Sequence, residues 1–147
     1  GINSRLDEMH ACYLRAFLPH LEDWNGQRRK LAARYDEALR DCPGLEFVER
    51  TADSVCHLYV VRAAKRDKLR TYLASKGIGT GVHYPVPMHL HPTFAGCGQK
   101  KGDLPHTEKA CREVVSLPLW PYMPESAVDE VAQRVREYYR GITRKGK

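Results

Sequence analysis

The sequence predicts an α/β (α+β) fold: a small mixed or antiparallel sheet with helices packed on one face, preceded by a long N-terminal helical arm. Three observations carry that prediction. Apolar residues at helical spacing run from Leu6 to Cys42. Two β-rich runs, a helix with a glycine stop and a further β-rich run then follow between Leu45 and Tyr84. An amphipathic segment from Glu125 to Tyr139 comes near the end.

In the arm, Leu6, Met9, Tyr13, Phe17, Leu21 and Trp24 recur in steps of three or four, which places them on one helical face. Asn3 or Ser4 can cap the helix, and Asp7 and Glu8 complement the positive end of its dipole. The stripe resumes at Leu31, Tyr35, Ala38 and Cys42, with Pro19 and Asn25-Gly26 marking places where the rod can kink or restart. Pro43-Gly44 ends it. Leu45 to Val48 and Val55 to Ala63 are predicted as adjacent strands. Lys65 to Lys76 reads as a helix stopped by Gly77, and Ile78 to Tyr84 as the next strand. The proline- and glycine-rich stretch from Pro85 to Pro105 is predicted as a long irregular loop with at most a short turn near Thr93 to Ala95. Thr107 to Val115 fits a helix, Ser116 to Leu119 a short strand, and Glu125 to Tyr139 a helix that turns Val128, Val131, Val135 and Tyr138 inward.

A chain of 147 residues suits one domain with a core of its own. Its five cysteines are an odd number without a C-x-x-C pair, so neither a complete disulfide framework nor a zinc ribbon is indicated, and a reducing, cytoplasmic setting is expected. Cys12 and Cys111 fall on helix faces and are expected to be buried small apolar groups. No apolar run approaches the roughly 20 residues of a membrane span. The net charge of +6 is scattered rather than gathered in a stripe. A nucleic-acid binder would need aromatics interleaved with a continuous basic stripe, and Tyr138-Tyr139-Arg140 is the one hint of that. Gly1, followed at once by a helix-start pattern, reads as a boundary inside a longer chain.

The stretch with most chemical potential is His83-Tyr84-Pro85-Val86-Pro87-Met88-His89-Leu90-His91, where prolines stiffen a backbone carrying three histidines and a tyrosine. Three uses stay open on residue grounds: hydrogen bonding to a polar substrate, packing, and metal ligation. The last is weakened because no Asp or Glu lies between His83 and Cys97 to orient the imidazoles. Gly1-Ile2-Asn3-Ser4-Arg5 is the second constellation. An Asn and an Arg at a helix start can bind an anion through free N–H groups, the dipole and a cationic fork, although Asn and Ser there are equally plain N-caps. No nucleophile arrangement or glycine-rich phosphate loop stands out.

In order along the chain, Gly1-Ile2-Asn3-Ser4-Arg5-Leu6-Asp7-Glu8, Leu21-Glu22-Asp23-Trp24-Asn25 with Arg28-Arg29 and Ala33-Arg34-Tyr35, Arg66-Asp67 with Leu69, Gly77-Ile78-Gly79-Thr80, His83-Tyr84-Pro85-Val86-Pro87-Met88-His89, Leu104-Pro105 and Ser116-Leu117-Pro118 form a set. That set resembles the DegT/DnrJ/EryC1/StrS family of pyridoxal 5'-phosphate (PLP) dependent aminotransferases, which aminate keto groups on nucleotide-linked sugars. The resemblance runs from Gly1 to about Tyr139. Met9-His10-Ala11-Cys12 departs from the family's more usual glutamine before two small residues.

The resemblance implies the small C-terminal domain of a fold-type I aminotransferase that works as a cytoplasmic homodimer with PLP at the subunit interface. Residues 1–42 would be the arm to a large PLP domain, residues 43–141 the small domain, and residues 142–147 a disordered tail. It implies that Asn3 reaches the cofactor phosphate of the partner subunit and that Arg5 lies nearby, with Ser4, His83, Tyr84 and His89 lining the sugar-nucleotide pocket. The substrates implied are a nucleotide sugar and an amino-acid donor, glutamate, in the making of cell-surface polysaccharide or antibiotic sugars. Family members carry the Schiff-base lysine upstream of the G-x-N-x-R stretch, so no residue here is assigned a catalytic role and this chain alone is expected neither to turn over nor to hold the cofactor. The alternative is a non-catalytic sugar-nucleotide binding module of the same fold.

Overall fold

The computed structural model describes residues 5–145, with side chains described to residue 142. Helix α1 (Glu8–Phe17) is joined to α2 (Leu21–Leu39) through a 3-10 turn, Leu18–His20, at the Pro19 expected to kink the rod. Asn25-Gly26 does not interrupt α2. The cap of α1 is Asp7, whose carboxylate accepts from the His10 N–H at 2.9 Å. It thus lies three and four residues beyond the Ser4 and Asn3 expected from sequence, which fall outside the described residues.

Strands β1 (Leu45–Phe47), β2 (Tyr59–Ala63) and β3 (Val114–Leu117) form one antiparallel sheet in the order β1-β2-β3. The register pairs Phe47 with Val61, Tyr59 with Leu117 and Val61 with Val115. Helices α3 (Arg66–Ser75), α4 (Pro105–Glu113) and α5 (Glu125–Lys145) complete the fold. Tyr59, Val61 and Ala63 alternate inward along β2 and meet the C-terminal half of α2, α5 and the Leu69/Leu73 edge of α3 in one core. Tyr35 stacks on Tyr59 with ring centroids 4.6 Å apart. Burial pushes both phenols well above their usual range, and each buried hydroxyl has an acceptor: Pro118 O for Tyr35 at 3.0 Å, Asp36 for Tyr59 at 2.8 Å.

Several expectations meet a different outcome. The strand predicted over Ile78 to Tyr84 is reduced to a single bridge between Gly81 and Ser116, because the run is broken by Gly79 and Gly81 and stopped by Pro85. The second β-rich run pairs only from Tyr59: Cys56 has a left-handed φ of 47° and its N–H donates to the Ser54 hydroxyl, which takes Val55 to Leu58 out of the ladder. At the last helix Tyr138 packs half-buried against the core as its spacing predicts, and Tyr139 is buried deeper still, donating to Ala64 O at 2.8 Å beside Gly44. Cys12 is exposed and Cys111 half-buried rather than both buried, and all five cysteines are free. Helix α5 also continues to Lys145, into the stretch the sequence assigns to a tail, whose last two residues lie outside the described ones. No described helix is long and apolar enough to cross a membrane.

Candidate functional site

Gly77, with φ 76°, ends α3 and turns the chain toward β3. Gly81 and Ser116 then exchange both backbone hydrogen bonds, at 3.0 and 2.9 Å, and this pins the start of the histidine loop to the sheet. Two residues on, His83 directs Nδ1 to the Ser116 hydroxyl at 2.9 Å. Tyr84 stands edge-on to the His83 ring, 5.6 Å between centroids, and is 73% exposed. His83 and Tyr84 therefore form a paired, solvent-facing hydrogen-bonding group on a fixed base.

His89 points the other way. It is 6% exposed, lies in the 3-10 turn Met88–Leu90, and its Nε2 is 3.3 Å from Glu108 Oε1 on α4. The Gly102 N–H donates to the same oxygen at 2.6 Å, and this bond more than any other holds the Glu108 carboxyl below its usual range, with His89 and Arg112 adding to it. Glu108 thus ties both ends of the long loop to α4. His89 Nδ1 is buried without a partner among the described residues. The loop itself is more regular than expected, since a second 3-10 segment, Pro92–Cys97, follows and His91 caps it by accepting from the Thr93 N–H.

Arg5 is exposed just before α1, and no described residue pairs with it. A free guanidinium suits a phosphate chemically, but the adjacent helix end already holds the Asp7 carboxylate, so anion capture there rests on the Arg5 side chain. The Arg5 guanidinium is thus the described group whose chemistry suits the phosphate of PLP, whereas every lysine whose burial is described is solvent-exposed, unlike a desolvated imine-forming amine. Asn3 and Ser4 lie outside the described residues. Among the described residues no cluster of three or more His, Cys, Asp or Glu has the spacing of a metal site.

The structure therefore brings His83 and Tyr84 together on the surface and turns His89 inward. It adds Ser116, Gly81 and Glu108, none of which the sequence assigns to a site. The available signals were small: a lone serine between Val115 and Leu117 in an apolar strand, and a glutamate on the first turn of a proline-started helix. A cleft of about 530 Å³ between α2 and the 47–56 loop is lined by Arg29, Asp36, Arg50 and Cys56 among others and holds none of the predicted site residues. Arg50 lies there 5.0 Å from the Tyr59 ring centroid and pairs with Asp36.

Residues 1–136 match the DegT/DnrJ/EryC1/StrS aminotransferase family. The chain belongs to that family. It is 46% identical over 140 residues to the dTDP-3-amino-3,4,6-trideoxy-alpha-D-glucose transaminase of Streptomyces venezuelae, covering 94% of this chain and 37% of the relative. It is 45% identical over 144 residues to the pleiotropic regulatory protein of Geobacillus stearothermophilus, covering 95% and 39%. Among solved structures, S. venezuelae DesV in complex with a ketimine intermediate superposes with a TM-score of 0.89 at 45% identity over 95% of this chain and 38% of that one. A DegT DnrJ EryC1 StrS aminotransferase from Brucella abortus gives 0.85 at 33% identity, over 95% and 37%. The chain thus spans less than two-fifths of the length of these family members.

Proposed function

We propose that this chain is the C-terminal portion of a PLP-dependent aminotransferase that moves an amino group from glutamate to a keto sugar carried on a nucleotide. The observation that carries the reading is the DesV superposition, with TM-score 0.89 and 45% identity along nearly the whole chain, together with an outward His83/Tyr84 pair held on the sheet. When bound, PLP supplies the electron sink for the carbon that loses its proton. This chain contributes the recognition side: Arg5 and Asn3 toward the cofactor phosphate of a partner subunit, and Ser4, His83, Tyr84 and His89 toward the sugar nucleotide. The burial of His89 assigns it an indirect share, as the post on which the loop stands. The imine-forming lysine belongs to a preceding large domain, so the chain alone neither turns over nor retains PLP. The working unit is a cytoplasmic homodimer, and the apolar face of α1 supports a packing surface for the rest of the protein.

The test is PLP absorbance and the glutamate half-reaction, run on the full-length protein with this chain beside it. A cofactor band that bleaches with glutamate in the full-length protein alone is the expected result. A full-length protein that is silent overturns the catalytic reading. The relative named a pleiotropic regulatory protein, 45% identical to this chain, favours as second reading a sugar-nucleotide binding module without turnover. Binding of a dTDP-sugar by the silent full-length protein would establish that reading instead.

A further inference from the structure

Ser116 is a polar residue in an apolar strand, 4% exposed between Val115 and Leu117, which are buried as well. Those two neighbours face the core opposite Val61 and Tyr59, so the side chain of Ser116 lies on the other face of the sheet. A buried hydroxyl needs a partner, and this one has His83 Nδ1 at 2.9 Å. Gly81 is the directly opposed residue in the bridge, so its Cα sits beside the Ser116 side chain on that same face.

Gly81 does not have the left-handed φ that usually explains a glycine, for the positive values fall at Gly44, Gly77, Gly98 and Gly102. What it supplies is room. A Cβ there would stand 2.5 Å from His83 Cε1 and 3.2 Å from Nδ1. The imidazole of His83 thus lies across the bare backbone of Gly81, with one nitrogen tied to Ser116 and the Tyr84 ring nearly perpendicular to it. No described residue bonds Nε2.

We propose that Ser116 and Gly81 are positioning residues that fix the His83 imidazole and present its Nε2–H as a donor to an oxygen of the nucleotide-linked sugar. The Ser116 O–H donates to Nδ1, which leaves the ring proton on Nε2, the nitrogen that no described residue bonds. This rests on the substrate-side reading of the loop given above, and the experiment separates the two.

In the full-length aminotransferase, Ser116→Ala is expected to raise KM for the nucleotide sugar about 3- to 10-fold, the scale of one positional hydrogen bond, while the glutamate half-reaction keeps its rate. In a His83→Ala background the same substitution should add nothing. A Ser116→Ala effect that persists in full without His83 overturns the positioning role. An unchanged KM for His83→Ala alone overturns the substrate half of the proposal. Long-range nitrogen–proton spectra of this chain then decide the remaining half: wild type should show His83 with its proton on Nε2, and Ser116→Ala and Gly81→Ala should each shift the ring resonances. A proton found on Nδ1, or a His83 signal untouched by either substitution, overturns it. Ser116→Ala removes one oxygen and adds no volume, so the test survives if Gly81→Ala fails to fold.

Discussion

The two halves of the N-terminal arm carry the same apolar spacing and meet opposite fates. In α2, Leu31, Tyr35 and Leu39 are sealed against β2 and α5. In and beside α1, Leu6, Met9, Tyr13 and Leu14 stand in solvent, Met9 at 84% exposure, and no α1 residue is buried. An aromatic ladder runs along that half: Tyr13 to Phe17 at 4.5 Å and Phe17 to Trp24 at 5.7 Å. Periodicity states which face of a helix is apolar; it does not state what covers that face.

The contrast can be broken first by truncation. Leu39→Ala should cost about 2–5 kcal/mol, because it leaves a cavity in a fully buried site. Tyr13→Ala should stay within about 0.5 kcal/mol. Urea unfolding with unchanged slopes measures both. A Tyr13→Ala loss of the Leu39 size would mean that the arm is packed in solution.

Such packing can come from a second copy. A contiguous exposed stripe of Leu6, Met9, Tyr13 and Phe17 is the kind of patch that associates. Sedimentation of this chain should therefore depend on concentration, and the double substitution Met9→Glu with Tyr13→Glu should restore the monomer without lowering the urea midpoint. A wild-type chain that stays monomeric at high concentration shows instead that the stripe is too narrow to hold a partner by itself.

The core side of this contrast is legible in the amino-acid sequence and the loop side much less so, for a physical reason. Core faces repeat, so Val128, Val131 and Val135 can be recognised by spacing alone, and they are buried. A mixed or antiparallel sheet is legible in the β-rich runs, and the antiparallel one that forms has its strand ends displaced: β2 begins late, after Cys56, the run at Gly81 shrinks to a bridge, and β3 takes Val114 and Val115, which the sequence assigns to a helix. Loop contacts do not repeat. Whether a histidine in a proline-rich stretch faces out, as His83 does, or in, as His89 does, depends on partners 33 and 19 residues away. Ser116 and Glu108 are invisible as partners until the chain is folded.

Glu108 offers a sharper test of that loop than any apolar residue. Its carboxyl is held below the ordinary value of 4.5, first by the Gly102 N–H. A depressed folded pKa means that the stabilisation is fully present above the unfolded value and is lost as pH falls through the lowered one. The Gly102 amide resonance should thus hold steady from neutral pH to the ordinary carboxylate range and move only below it. Glu108→Gln should abolish that movement and speed amide exchange between residues 88 and 104, while the α2–α5 core keeps its protection. Equal loss of protection in the core would mean that the loop and core open as one unit.

The smallest effect is expected at the seam where the arm becomes core. Arg34, in the middle of α2, reaches α5 with Nε and Nη2 each 2.7 Å from Asp129 and Nη1 2.6 Å from Glu125. The fork is bidentate, so its geometry is favourable, yet all three groups are substantially exposed and water screens them. Arg34 hydrogen bonding lowers the Asp129 carboxyl, and Lys30 with Arg34 lowers Glu125. The sign is again that of a depressed carboxylate: what the pairs add is present at neutral pH and fades as the acids protonate below their ordinary values. Arg34→Gln should therefore lower the melting temperature slightly at neutral pH and low salt, and the gap to wild type should close both in about 0.5 M salt and in acid. A gap that ignores salt would assign the Arg34 stem, packed between two helices, more weight than its charge.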